Sequence, residues 1–258
     1  MTRIGSVFKP GHKALIAYVT VGYPSVETTL EIVPALADWG CDIVELGIPF
    51  SDPLADGATI QEASYHALQR GVTPSVCLDT ASRLRCEVDV PLVFMTYYNP
   101  VLRFGLEGFC QASAKAGVDG LIVPDLPAEE GGMLGGFAEK SGLDLIYLLA
   151  PTSSDQRIEL VAQRSRGFVY LVSVAGVTGA RRTLPADLAG FVSRVRQKTD
   201  LPLCVGFGIS TAQQARQVAQ VADGVIVGSR IVQLLRDEKS RQKLQPFIKG
   251  LKGAISKA

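Results

Sequence analysis

Histidine is nearly missing from this sequence: His12 and His66 are the only two in 258 residues. Cysteine adds little for a metal. The five, Cys41, Cys77, Cys86, Cys110 and Cys204, are an odd number without a C-x-x-C pair. No four Cys and His sit at the short spacings of a structural zinc site, so no metal site is expected and the cysteines read as buried or half-buried thiols of a reducing compartment. A basic excess is lacking too. The 26 Lys and Arg against 25 Asp and Glu leave a net charge of +1, which argues against a nucleic-acid binder. A local anion site remains open, because backbone N–H groups bind phosphate without lysine. No apolar run approaches the roughly 18–20 residues of a membrane helix. Lys9 and Lys13 ahead of ALIAYVTVG loosely imitate a signal peptide. That stretch alternates like a strand, however, and Gly-Tyr-Pro ends it without a small-x-small cleavage site, so a first strand and a cytoplasmic protein are expected. A charged fraction of 20% and a mean hydropathy of +0.22 exclude a largely disordered chain. With no Pro/Ser-rich linker or low-complexity tract, residues 1–258 are expected to form one domain.

What is present is a repeat of strand and helix. The β-rich runs are Leu15–Val21, Ile43–Ile48, Leu92–Tyr98, Gly120–Pro124, Leu145–Ala150, Phe168–Val174, Leu203–Gly208 and Gly224–Gly228. Helical patterns lie at Val26–Ala37, Gln61–Gln69, Ser75–Arg85, Leu106–Ala116, Ala128–Lys140, Asp155–Gln163, Pro185–Lys198 and Ala212–Val221, with one or two closing helices in Ile231–Lys257. Eight strand–helix units in this length are the arithmetic of an α/β fold of the (β/α)8 TIM-barrel type. A doubly wound open sheet competes, but no G-x-G-x-x-G follows the first strand.

In a barrel, chemistry sits at the C-terminal ends of the strands. Alternation in the second strand turns Val44, Leu46 and Ile48 toward the helices, and Ile43, Glu45 and Gly47 toward the interior. A carboxyl aimed into a packed barrel is costly unless it is paired or used. It either meets a buried partner or works with the loop that follows, where Asp52 and Asp56, framed by Pro49 and Pro53, arch over the mouth. Asp56 also reads as a plain turn residue before Gly57. Strand seven ends in Val205-Gly-Phe-Gly-Ile-Ser210 and strand eight in Val227-Gly-Ser-Arg-Ile231, each running into a helix. These are glycine-lined helix starts at the usual place for phosphate in such barrels. The glycine-bearing loop Ala175–Leu184 is either a surface loop or a lid closing through Thr178 and Gly179. No predicted strand ends in lysine, so a Schiff-base aldolase is not expected. Carboxylate acid–base chemistry is left, with tyrosines as helpers.

The segments ELGIPFSDPLADGATIQ (Glu45–Gln61), AGVTGAR (Ala175–Arg181), GFGIS (Gly206–Ser210) and VGSRIV (Val227–Val232) resemble the tryptophan synthase α subunit family. The likeness runs from YVTVGYP (Tyr18–Pro24) to the final helices. The resemblance implies retro-aldol cleavage of indole-3-glycerol phosphate to indole and glyceraldehyde 3-phosphate. It implies Glu45 as catalytic acid/base and Asp56 as the group at the indole N–H. Tyr170, Tyr18, Phe207 and Thr178 fall on substrate-pocket positions, and Gly179, Gly208, Gly228 and Ser229 on phosphate-binding ones. It further implies no cofactor in this chain, and a pyridoxal-phosphate (PLP) β subunit as partner in an α2β2 complex, contacted by the loop around Asp52–Pro53.

Two positions depart from the family pattern: Val174, where many members have arginine, and Tyr18, where phenylalanine is frequent. The pairs Gly131-Gly132 and Gly135-Gly136 are poor helix formers without an evident role. Three other readings stay open: a free-standing lyase, a weak catalyst that mainly activates a partner, and a phosphate-barrel isomerase, against which Glu45–Asp56 argues.

Overall fold

Strands covered on both faces need few polar residues, and those of this chain are almost wholly buried. The computed structural model describes residues 2–172, 187–206 and 208–258. Among these lie nine strands: β1 (Ala14–Thr20), β2 (Ile43–Gly47), β3 (Leu92–Met95), β4 (Gly120–Ile122), β5 (Asp144–Ile146), β6 (Leu148–Leu149), β7 (Val169–Val172), β8 (Leu203–Gly206) and β9 (Gly224–Val227). All pairings are parallel, in the order β5-β4-β3-β2-β1-β9-β8-β7-β6. The two ends of that order, β5 and β6, are separated in sequence by Tyr147 alone, so the sheet comes round on itself as a (β/α)8 barrel whose fifth stave is broken at Tyr147.

The helices are α1 (Val26–Asp38), α2 (Ala58–Gln69), α3 (Pro74–Arg85), α4 (Tyr98–Phe104), α5 (Leu106–Lys115), α6 (Gly132–Lys140), α7 (Asp155–Arg164), α8 (Leu188–Arg196), α9 (Ala212–Ala219), α10 (Ser229–Leu235), α11 (Glu238–Arg241) and α12 (Leu244–Ile255). Local chemistry sets several starts. Ser25, Thr73 and Ser154 accept from the backbone N–H three residues on, and Thr211 with Gln214 forms a capping box at α9. Leu244, Ile248, Leu251 and Ile255 repeat at helical spacing and form the buried face of α12.

At the N-terminal end of the barrel one device recurs. Asp42, Asp119 and Asp223 directly precede β2, β4 and β9. Each accepts a backbone N–H at or near the start of a neighbouring strand: Leu15 at 2.7 Å, Leu92 at 2.9 Å and Leu203 at 2.8 Å. Each also meets basic side chains: Lys252 at Asp42, which His12 Nε2 also contacts at 2.9 Å, Arg3 and Arg85 at Asp119, and Arg196 at Asp223. This end is tied together, which leaves the opposite end free for loops.

Several predicted boundaries move. The run Leu92–Tyr98 is a strand only to Met95, and Tyr98 starts α4 instead, its N–H donating to Asp125 Oδ1 at 2.9 Å. Pro100 fits because it sits in the first turn, where no intrahelical donor is needed. The helix expected from Ala128 begins only at Gly132, after a turn through Pro127–Gly131. The closing region holds three helices rather than one or two. The start of the helix expected at Pro185–Lys198 lies outside the described residues. Cys41, Cys77, Cys110 and Cys204 are buried free thiols, whereas Cys86 is exposed.

Candidate active site

The C-terminal end of the barrel opens into a cleft of about 470 Å³, mouth included. Seven residues singled out in the sequence line it together: Tyr18, Glu45, Asp56, Tyr170, Gly208, Gly228 and Ser229. The strand register explains part of this gathering. Tyr18 lies beside Glu45 across β1 and β2, so their side chains point the same way, and Thr20 lies beside Gly47. Two glycines make room for the phenols. A Cβ on Gly47 would overlap the Tyr18 hydroxyl, and one on Gly206 would overlap that of Tyr170. The hydroxyl that sets Tyr18 apart from phenylalanine meets Thr20 Oγ1 at 3.3 Å.

Glu45 points inward, as alternation required, and is fully buried. Neither carboxylate oxygen meets a hydrogen-bond partner among the described residues. Without compensation, burial penalises the charged form and pushes the carboxyl up to about 8. Glu45 is therefore a protonated acid at neutral pH.

Asp56 reaches the same cleft from the loop after β2. The loop is stitched by its own backbone, with Leu54 N–H on the Asp52 carbonyl and Asp56 N–H on the Pro53 carbonyl, both at 3.0 Å. Gln61 Nε2 holds the Asp56 carbonyl at 2.8 Å. The Tyr97 hydroxyl accepts from Ala55 N–H at 3.0 Å and donates to the Asp56 carboxylate. Burial raises the Asp56 carboxyl and the Tyr97 bond lowers it, leaving it at about 6. Asp56 is thus mainly ionised at pH 7, beside a Glu45 that is not. Asp52, the other loop carboxylate, is exposed and lies outside the cleft.

Tyr97 is a site residue that the sequence analysis missed. Its signal was its place at the end of the third strand, where barrels build their sites. Met95, Ile60, Ile209 and Ile226 supply an apolar lining. Gly208 has φ +80, a conformation that favours glycine, and Gly228 and Ser229 form the start of α10. Val174, Thr178, Gly179 and Phe207 lie outside the described residues. Among the described residues no three His, Cys, Asp or Glu side chains converge as a metal site, and no helix is long and apolar enough to cross a membrane.

A protonated and an ionised carboxyl in one apolar cleft, ending in glycine-lined backbone, can donate a proton to one atom and stabilise positive charge at another. Comparison with known proteins shows the family. The family model described as tryptophan synthase alpha chain matches residues 6–253. The tryptophan synthase alpha chain of Dehalococcoides mccartyi is 57% identical over 255 residues, covering 99% of this chain and 100% of the relative. That of Chloroflexus aggregans is 52% identical, covering 91% and 90%. Among solved structures, a chain of Mycobacterium tuberculosis tryptophan synthase superposes with a TM-score of 0.92 at 39% identity, covering 99% of this chain and 98% of that one. The alpha subunit from Legionella pneumophila gives 0.92 at 33% identity with complete coverage of both. The chain belongs to the tryptophan synthase alpha chain family.

Proposed function

We propose that this chain cleaves indole-3-glycerol phosphate into indole and glyceraldehyde 3-phosphate, and that a PLP-dependent β subunit consumes the indole. The observation that carries the reading is the meeting of two unlike carboxyls in one cleft: Glu45, fully buried and without a hydrogen-bond partner among the described residues, and Asp56, held by the Tyr97 hydroxyl. Indole leaves poorly as a carbanion, so its ring must be made electron-accepting first. The Glu45 carboxyl gives its proton to ring carbon C3, and the ring becomes an indoleninium with its charge on N1. The resulting Glu45 carboxylate takes the proton of the hydroxyl on the glycerol carbon bonded to C3. That oxygen closes to an aldehyde, and the C–C electrons move into the ring and neutralise N1. The Asp56 carboxylate accepts the N1–H and stabilises the passing charge.

Tyr18, Tyr170 and the apolar lining enclose the ring, and backbone N–H groups around Gly208, Gly228 and Ser229 hold the phosphate. Gly179, Thr178 and Phe207 complete the pocket in this reading. The chain itself uses no cofactor; PLP belongs to the partner. An apolar rim supports the docking of that partner beside the Asp52–Pro53 loop. Leu54, Leu102, Phe104 and Met133 are 85%, 54%, 39% and 67% exposed, and all follow strand ends on the mouth side. An indole-release assay on the purified chain, with and without a β subunit, tests the reading. Glu45→Gln should abolish release while the fold persists, and Ser229→Asp should weaken binding of glycerol phosphate. Near-normal turnover of Glu45→Gln overturns the mechanism. Absence of both rate enhancement and co-elution with the β subunit makes the lyase free-standing.

A further inference from the structure

The glycine pairs of α6, which the barrel-mouth chemistry does not use, border a second cleft outside the barrel. It measures about 750 Å³ and lies between α6 and the C-terminal end of α7, over β5. Glycines in a helix are costly and are commonly repaid by close packing against a neighbour. Close packing accounts for Gly131 alone, against the Tyr147 hydroxyl. A Cβ on Gly132 or Gly136 would meet nothing within 4 Å, so both positions face open space. Gly135 lies over the floor, where its Cβ would stand 3.7 Å from Leu145 and 4.0 Å from the Tyr147 hydroxyl.

Two polar features look into this space. Tyr147, the residue that breaks the fifth stave, is only 4% exposed. Its hydroxyl occupies the place a Gly131 side chain would take, and no group among the described residues hydrogen-bonds to it. The hydroxyl is open to the cleft rather than sealed in the core. Arg164 and Arg166 stand at the cleft and donate only to backbone carbonyls: Ala128 and Glu129 for the first, Gln163 and Ser165 for the second. Neither guanidinium pairs with a carboxylate among the described residues. Glu139 is the one acidic side chain of the lining. The cleft thus offers a flat, glycine-walled slot over Leu143 and Leu145, with a phenol donor and two cations at its edge.

We propose that this cleft is a second ligand site, which takes a small flat aromatic acid. Its carboxylate faces the Tyr147 hydroxyl and Arg164, and its ring lies along Gly135 into the space beside Gly136. The length fits, since the run from Gly131 to Glu139 rises about 12 Å along the helix, enough for a two-ring aromatic body.

The test uses naphthalene-2-carboxylate as the probe, titrated into the full chain by calorimetry and followed by saturation-transfer NMR. The native chain should bind it saturably. Gly136→Leu and Gly132→Leu should each abolish binding by filling the slot. Both improve helix propensity, so circular dichroism and the melting temperature should show an intact fold. Tyr147→Phe should weaken binding by roughly five- to tenfold, the worth of one hydrogen bond. Saturating indole and glycerol phosphate, which occupy the barrel mouth in the proposed reaction, should leave the affinity of the probe unchanged, because the two clefts share no lining residue. No saturable binding to the native chain overturns the proposal. So does native affinity in both leucine variants, or displacement of the probe by indole and glycerol phosphate.

Discussion

Glu45 carries a stability cost that depends on pH in a known direction. In the folded chain its carboxyl titrates at about 8, whereas in an unfolded chain a glutamate titrates near 4.3. Between those values the native state holds a proton that the unfolded state has released. Stability therefore falls as pH rises through that window, and the full cost, up to about 5 kcal/mol, is present above it. Asp56 acts in the same sense over a lower window, ending at about 6. Glu45→Gln removes only the first contribution. Urea midpoints of the native chain and the variant should differ little at pH 5 and diverge by pH 9 in favour of the variant. Parallel curves over that range would refute the ionisation account. Tyr97 tunes the other carboxyl. Its hydroxyl bond lowers Asp56, so Tyr97→Phe should move the acid limb of kcat/KM for indole release to higher pH, by about half a unit to one unit. An unmoved limb would show that ionisation of Asp56 in the free chain does not govern the reaction. Glu45 was legible in the sequence because period-two alternation alone turns it inward. Tyr97 was not, because its role depends on a loop from another strand folding over it.

At the scale of the element, the site depends on strands that omit side chains where a neighbour needs space. The Tyr170 phenol on β7 projects over Gly206 on β8. Gly206→Ala should cost about 1–3 kcal/mol through overpacking, and Tyr170→Phe should relieve part of it. A double-mutant cycle on unfolding free energies should show a coupling above about 0.5 kcal/mol; strict additivity would mean that the ring moves aside freely. The staves themselves were legible, because runs such as ALIAYVT and LVFM are apolar in a way that only a doubly covered strand tolerates. What could not be read were features fixed by tertiary contact. Tyr98 leaves the strand for α4 because Asp125, 27 residues away, accepts its N–H. The break at Tyr147 occurs in a run that reads as one continuous strand.

The whole molecule divides its surface by function. A net charge of +1 is small for a chain proposed to bind a phosphate ester, which is consistent with backbone N–H groups doing the holding. Arg3, Arg85, Arg196 and Lys252 instead serve the closed end of the barrel, where Asp42, Asp119 and Asp223 bind them at the strand starts. Among the described residues, four of the five large apolar side chains that are exposed follow strand ends on the open side, Leu54 after β2, Leu102 and Phe104 after β3 and Met133 after β4, the fifth being Tyr65 of α2. Exposed leucines contribute little to the fold of a single chain, so they can be altered without unfolding it. Buried in an interface, the same side chains would matter, and a carboxylate at that position would have to be desolvated without a partner. Leu54→Asp with Leu102→Asp should therefore leave the melting temperature of the isolated chain within a few degrees of native. The intrinsic rate of indole release should also persist, because neither residue lines the cleft. Co-elution with a β subunit should be lost, and with it any acceleration that the partner confers. A doubly substituted chain that still co-elutes would move the docking surface away from the barrel mouth, and with it the proposed route of indole to the partner.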